Sequence, residues 1–271
     1  MKIPQFWVRE RRLIAGRQVR LHGISADSQQ EAEQRLEQRA RLWQDFLAGI
    51  PGMPVEQFRA ELRRLDECSS PYASTIFEAI EQQPDSCNII TRNRYGCLVL
   101  NSVSLCFADV DRFRPGLWAK LFPSPTKEQE QLSAAIRKLC ARAPELSARL
   151  YRTAHGWRVI LRDSGLTVGS ARESELFAAL KADPLYVKLC RKQLCWRARL
   201  SPKPFYRGLK RYPNPSSTRQ AAQDWIAAYN AATAGLGVCR LIDTFGSPLR
   251  DPMVELHDTV TRALTPDLEL G

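Results

Sequence analysis

The sequence predicts an α+β protein in which a central, mostly antiparallel sheet is flanked by helices. Three strand-like segments follow one another closely over residues 87–111, and a second hairpin pattern follows at 147–163. Amphipathic helical segments separated by proline or glycine lie between and after these strands. A chain of 271 residues that is 44% hydrophobic is long enough to bury a sizeable core.

Residues 1–84 are predicted to form an N-terminal extension made of a β-hairpin and helices. Alternating apolar residues flank the turn Ala15–Arg17, which indicates the hairpin. Ser25 or Asp27 is predicted to cap a long helix that ends near Gly49. A second helix is expected over residues 55–66.

Residues 85–271 are predicted to form the α/β core. Its third strand, SVSLCFADVD at 102–111, is apolar on both faces, and this pattern favours a central strand covered by helices. A proline-rich loop is expected at 112–127 and a helix at 128–143. The remaining predicted elements are a hairpin turning at 154–156, helices at 172–181 and 184–193, the strand CWRARL, a basic loop at 205–216, a helix at 217–233, the strand GVCRLIDTFG and a final helix at 252–264.

Positive charge is concentrated in one quarter of the chain. Residues 149–211 contain 15 Lys and Arg against 4 Asp and Glu, a local net charge equal to the +11 of the whole chain. Such a region favours a polyanionic partner, namely nucleic acid, nucleotide phosphates or an acidic protein, although a solvated cationic face is the simpler alternative.

The sequence contains no apolar stretch long enough for a membrane span, and the charged N-terminal residues do not suit a signal peptide. We therefore expect a cytoplasmic protein without a membrane partner. The eight cysteines should then stay reduced, and without a CxxC pair they are expected to act mainly as small buried hydrophobic residues.

The strongest candidate for chemistry is the pair Asp109 and Asp111. Alternate residues of a strand share a face, so both carboxylates should point the same way. Hard cations such as Mg²⁺ or Mn²⁺ bind such paired oxygen ligands, and two metals of this kind support nucleotidyl transfer. The alternative is a strand end whose aspartates pair with nearby arginines. Asp243, after the apolar run VCRLI, is a candidate third carboxylate.

Several cations, with one hydroxyl and one histidine, are candidates for binding phosphate or nucleic acid. Gly156 lies in a tight turn whose backbone N–H groups could meet phosphate. Phe205 and Tyr206 lie near Lys203 and could stack on bases. The candidates are Arg92, Arg94, Arg152, Thr153, His155, Arg158, Arg197, Arg199 and Lys203. For each of them the alternative is an ordinary turn or a solvated sheet face, and His257 and Asp258 are interpreted as structural.

Three motifs resemble archaeo-eukaryotic primases and primase-polymerases: FADVD at 107–111, TAHGWRV at 153–159 and LID at 241–243. The resemblance implies an RRM-like core, two divalent metals on Asp109, Asp111 and Asp243, and a nucleoside triphosphate near the hairpin. In this alignment the family's histidine falls on Arg158, and His155 is displaced toward the turn. Segments around TRNRYG and RARLSPKP also resemble a family of bacterial proteins, which carries no functional expectation.

Three functions are therefore expected from the sequence. The first is a metal-dependent nucleotidyltransferase of primase-polymerase type that uses nucleoside triphosphates and a DNA or RNA template. The second is a non-catalytic nucleic-acid-binding protein that uses the basic region, and the third is a module for an acidic partner protein. The two-metal version of the first function requires the three aspartates to converge, because paired metal ions lie only about 3.5–4 Å apart.

Overall fold

The computed structural model describes residues 6–25, 27–49, 52–65, 79–111, 125–210, 212–213 and 219–271. The predicted α+β class is confirmed, with mostly antiparallel sheets and an N-terminal hairpin followed by a helix. The elements in chain order are β1 (Phe6–Ile14), β2 (Arg17–Ser25), α1 (Gln29–Leu47), α2 (Val55–Leu65), β3 (Ala79–Asp85), β4 (Asn88–Arg92), β5 (Leu98–Ser102), β6 (Cys106–Asp111), α3 (Pro125–Arg142), β7 (Ser147–Thr153), β8 (Gly156–Arg162), α4 (Ala171–Leu180), α5 (Pro184–Gln193), β9 (Trp196–Arg199), α6 (Arg219–Thr233), β10 (Leu236–Gly237), β11 (Cys239–Phe245), α7 (Pro252–Thr261) and β12 (Glu269–Leu270).

The N-terminal hairpin turns at Ala15 and Gly16, which both have positive φ, as a tight two-residue hairpin turn requires. The N-cap of helix α1 lies one residue after the predicted Asp27 and three residues after the predicted Ser25. Its N-cap is Ser28, whose side-chain oxygen accepts from the N–H of Glu31. The hairpin and α1 enclose a small apolar core of their own, formed by Ile14, Val19, Leu21, Leu36 and Ala40.

Eight strands of the core form two four-stranded antiparallel sheets. The first has the order β3-β4-β5-β9 and the second has the order β11-β7-β8-β6. Helices α3 and α4 pack on one face of the second sheet. On its other face, His257 of α7 contacts the rings of Phe107 and Tyr151. The second sheet therefore lies between two helical layers, and this accounts for its apolar strands.

Strand β6, which carries the aspartates, is an edge strand of its sheet, so the prediction of a central strand is wrong. It is nevertheless buried, because α5 and β9 lie along its outer edge. The hydroxyl of Tyr186 donates to Phe107 O of β6 at 2.8 Å and accepts from the N–H of Arg197 of β9 at 3.3 Å. The N–H of Asp183 donates to Asp109 O at 2.9 Å. The Tyr186 hydroxyl and the backbone at the start of α5 therefore bind carbonyls of β6 that a neighbouring strand would otherwise pair with.

The core helices and hairpins largely follow their predicted positions. Pro184 opens α5 behind the N-cap Asp183, as predicted, and the hairpin β7–β8 turns at Ala154 and His155. Helix α3 begins at Pro125, earlier than expected, while the rest of the predicted loop at 112–124 lies outside the described residues. Strand β3 was not predicted, and it pairs with β4 across the expected boundary at residue 84.

The cysteines that the structure describes are free thiols, and most of them are buried. Burial raises the pKa of Cys106 well above its ordinary value, so this thiol stays protonated. Within the described part of the chain, no helix has the length and apolar character needed to cross a membrane.

Candidate functional site

Asp109 and Asp111 occupy the last part of β6 and share one face of the second sheet. In the register with β8, Asp109 lies opposite Arg158 and Asp111 lies opposite Gly156 at the hairpin turn. The side chain of Asp109 is 35% exposed, and Asp111 is more exposed still. The pair therefore forms the boundary between a buried interior and an open surface.

Asp243 does not join this pair, so the expected convergence of the three aspartates is not found. It lies on β11, at the opposite edge of the sheet, three strand spacings away or about 14 Å. An irregularity in the register between Leu241 and Asp243 also turns its side chain to the opposite face, where it pairs with Arg137 of α3 at 3.2 Å. The sheet itself separates Asp243 from Asp109.

Arg158 is buried, with 2% of its side chain exposed, which contradicts its prediction as a phosphate ligand. Its Nε donates to Asp109 Oδ1 at 3.0 Å, and its Nη1 donates to Arg199 O of β9 at 2.8 Å. Burial acts to lower the pKa of Arg158, but the charge of Asp109 opposes this, and the net direction is upward. The guanidinium therefore joins the two sheets and holds one oxygen of Asp109.

The contacts continue from Arg158 to α7. Nη1 of Arg158 lies 3.3 Å from His257 Nε2, and His257 Nδ1 lies 2.9 Å from Asp258 Oδ1. Asp258 Oδ2 in turn pairs with Arg149 Nη1 at 2.6 Å. We call Arg158, His257, Asp258 and Arg149 the inner chain.

Burial lowers the pKa of His257. Its hydrogen bond with Asp258 acts in the opposite direction, while the charge of Arg158 lowers the pKa further. A neutral imidazole with its proton on Nδ1 donates to Asp258 and accepts from Arg158, so this tautomer satisfies both contacts. Because His257 is neutral, it holds the Arg158 guanidinium in place without placing a second positive charge next to it.

On the solvent side of the aspartates, a short 3₁₀ helix at Pro204–Arg207 places two aromatic rings at the surface. Phe205 is 56% exposed and Tyr206 is 37% exposed. Lys203 Nζ lies 5.7 Å and 5.9 Å from the centres of these two rings. His155, at the β7–β8 turn, bonds to the hydroxyl of Tyr206. We call Asp111, Lys203, Phe205, Tyr206 and His155 the outer rim.

Lys203 connects the rim electrostatically to the aspartates. Burial lowers the pKa of Lys203, and the neighbouring charge of Arg199 lowers it further, while Asp111 and Asp109 act in the opposite direction. The pKa of Arg199 is likewise lowered, first by burial and then by Arg158. Arg158, Arg199 and Lys203 therefore outnumber the two carboxylates, and an added anion would relieve the repulsion among these cations.

The other predicted ligands lie apart from the aspartates or are engaged within the fold. Arg92 is buried, pairs with Glu81 at 2.6 Å and donates to Gly96 O. Arg94 stacks on Tyr95, and Arg152, which is followed by Thr153 at the end of β7, stacks on Trp157. Arg197 donates to Gln193 at 2.9 Å, and Arg199 donates to the carbonyls of Ser201 and Gly271.

At least six of the fifteen lysines and arginines in residues 149–211 form ion pairs, some buried and some exposed. The arginines of this region that form ion pairs are Arg149, Arg158, Arg162, Arg172, Arg191 and Arg207. This region is therefore better described as a set of separate cationic sites than as one continuous basic face. Lys203 is one of these sites.

Within the part of the chain that the structure describes, no cluster of three or more His, Cys, Asp or Glu side chains is arranged to hold a metal ion. A bound metal would need further oxygen ligands, such as those of a substrate phosphate. Comparison of the chain with protein-family models, curated proteins and solved structures found no match.

Proposed function

We propose that this chain binds a nucleoside triphosphate and a DNA or RNA strand at the outer rim, and that Asp109 and Asp111 hold Mg²⁺ or Mn²⁺ for nucleotidyl transfer. One observation carries the proposal: the β7–β8 turn, which lies opposite Asp111, bonds through His155 to Tyr206, and the rings of Tyr206 and Phe205 lie beside Lys203. A carboxylate, a lysine and aromatic rings are the groups that a metal, a phosphate and a base require.

The carboxylates would supply hard oxygen ligands from one strand face. Arg158 engages Oδ1 of Asp109. Oδ2 of Asp109 and the carboxylate of Asp111 would supply the oxygens for a cation. Mg²⁺ is commonly held by one or two carboxylates together with substrate phosphates, so this donor set fits such an ion. The metal would bring phosphate oxygens to the aspartates and neutralise charge during transfer.

The remaining rim groups suit the organic part of the ligand. Lys203 lies between two prolines and is positioned by its contact with both rings. It would bind phosphate, and Phe205 and Tyr206 would stack on bases without sequence preference. His155 would act through Tyr206, because its bond to the hydroxyl connects the β7–β8 turn to the 3₁₀ helix.

Incorporation of labelled nucleotides on a single-stranded template with Mn²⁺ tests the reaction. We expect wild-type protein to extend the product and Asp111→Asn to lose most of this activity. Asp111→Asn preserves the Asp109–Arg158 pair, so a loss of activity would not follow from a loss of folding. The double variant Asp109→Asn/Asp111→Asn should be inactive.

Asp243→Asn provides the matched control, since Asp243 is a strand carboxylate on the opposite face of the sheet. We expect it to keep wild-type activity. Incorporation that persists in the double variant, or that is lost in Asp243→Asn, would contradict the proposed site.

A second candidate function is non-catalytic nucleic-acid binding at the same rim. It is favoured by the position of Asp243, because two carboxylates alone make a sparse ligand set for two metals. In this case the wild-type protein would bind a single-stranded oligonucleotide with an affinity that falls steeply with salt, and would incorporate no nucleotide. Asp111→Asn would then retain binding, whereas Lys203→Ala would weaken it.

A further inference from the structure

Helices α4 and α5 enclose a groove that the outer rim does not include. Only residues 181–183 connect the two helices, each helix lies beside β6 of the second sheet, and Arg191 of α5 bonds to Glu173 and Ser174 of α4. The groove has a volume of about 660 Å³. Its lining residues are Ser174, Phe177, Ala178, Lys181, Ala182, Pro184, Val187, Lys188, Arg191 and Lys192.

The lining residues follow helical spacing on both walls. On the α4 side they recur at positions 174, 177, 178 and 181, and on the α5 side at 184, 187, 188 and 191. Residues three and four apart lie on one face of a helix, so each helix offers one continuous stripe. Two facing stripes of this kind are the surface into which an additional amphipathic helix packs.

The chemistry of the groove is apolar at its centre and cationic at its sides. Ala178 and Pro184, which are exposed, and Val187, which is half-buried, supply the apolar surface, while Phe177 is buried beneath them. Among the described residues that line the groove, the charged ones are Lys181, Lys188, Arg191 and Lys192, and none is acidic. Arg191 pairs with Glu173, but that carboxylate is fully buried beneath it.

We propose that this α4–α5 groove binds an acidic amphipathic helix of a partner protein. Apolar side chains of the partner would cover Ala178 and Val187, and its Asp or Glu residues would face the lysines. A nucleic-acid backbone would satisfy the lysines but would leave the apolar centre uncovered. Each wall spans about two helical turns, roughly 10 Å, so the interface is small and the complex should be reversible.

Fluorescence anisotropy with a defined peptide tests this proposal. The probe is a labelled 16-residue helical peptide with Leu and Ala at i, i+3, i+4 and i+7 and Glu on both sides. A scrambled peptide of the same composition is the reference. We expect saturable binding of the periodic peptide, and a loss of about tenfold or more in affinity in both Ala178→Glu and Lys188→Glu/Lys192→Glu.

Lys138→Glu is the matched control, because Lys138 is an exposed lysine on α3 outside the groove. It should leave peptide affinity within about twofold, since a single distant surface charge contributes little. Lys203→Ala and Asp111→Asn should also leave it unchanged, so this result is independent of the proposed function.

Three results would overturn the proposal. The first is equal affinity for the scrambled peptide, or no saturable binding up to about 1 mM peptide. The second is an equal loss of affinity in Lys138→Glu. The third is that the groove variants weaken binding of a single-stranded oligonucleotide and not of the peptide, which would make the groove a nucleic-acid site.

Discussion

The inner chain and the outer rim are built from similar charged residues, yet they differ in what those residues contact. Arg158 and His257 of the inner chain are buried and bonded to other protein groups. On the rim, Phe205 and Tyr206 are exposed beside a lysine whose pKa is lowered by burial and by Arg199. A high density of charged residues in the sequence therefore does not identify a ligand site, because some of these residues, such as Arg158, bind other groups of the protein.

The largest expected difference between the two regions is in stability. Arg158→Met removes the guanidinium that joins β8 to Asp109 and to the carbonyl of Arg199. We expect the free energy of unfolding to fall by about 3 kcal/mol, because a buried acceptor and a half-buried carboxylate lose their partner. Urea denaturation monitored by circular dichroism measures this change.

Arg137→Met is the matched control for that substitution, because the pair of Arg137 with Asp243 is exposed to solvent. Arg137→Met should lower the free energy of unfolding by less than about 1 kcal/mol. Equal losses of stability in the two variants would remove the distinction between the inner chain and surface arginines.

The second largest effect is expected in the binding of a single-stranded oligonucleotide to the outer rim. Phe205→Ala removes an exposed ring from the rim, so we expect the affinity for a single-stranded oligonucleotide to fall by about 1–3 kcal/mol. Its urea midpoint should stay close to the wild-type value, since the ring is mostly outside the core. Leu185→Ala, which removes an exposed side chain of α5, is the control. Wild-type oligonucleotide affinity in Phe205→Ala would argue against the rim as a base-binding surface.

The inner chain should also make stability depend on pH. Burial lowers the pKa of His257 below its ordinary 6.5, so the unfolded chain binds a proton in acid more readily than the folded chain does. The stabilisation is present above about pH 6.5 and is lost on acidification, by at most about 1.4 kcal/mol per pH unit. Urea midpoints at pH 7.5, 6.5 and 5.5 should fall less steeply for His257→Gln. Parallel slopes for both proteins would contradict this assignment.

The smallest effect is expected at Asp243. Asp243→Asn should change the free energy of unfolding by only about 0.2–1 kcal/mol, because its pair with Arg137 is exposed. Oligonucleotide binding should not change. A large loss of binding would mean that the two faces of the sheet act together, which the geometry of β11 does not support.

The strands and hairpins of the core could be predicted because their apolar pattern is local. The sheet face to which the Asp243 side chain points could not be predicted. The register irregularity after Leu241 pairs Asp243 with Leu150 of β7 and so reverses the direction of its side chain. Strand β3 was missed because AIEQQPD is polar and contains a proline, which an edge strand tolerates.

Of the candidate site, the shared face of Asp109 and Asp111 followed from strand alternation. The burial of Arg158 could not be predicted from the sequence, because it depends on groups of β9 and α7, which lie about 40 and 100 residues further along the chain. Contacts between such distant segments leave no local pattern. The sequence predicted the two helices that form the α4–α5 groove. It did not show which of their faces the fold would leave exposed.

The contact of Tyr186 with both β6 and β9 has a consequence for self-association. Unpaired strand edges are the places where an extended segment from another molecule can add to a sheet and begin aggregation. Here one hydroxyl occupies Phe107 O on one edge and the N–H of Arg197 on the other. Arg158 occupies a further edge group, the carbonyl of Arg199. An incoming strand would have to displace these side chains before it could attach, so the junction protects the β6 and β9 edges against strand addition.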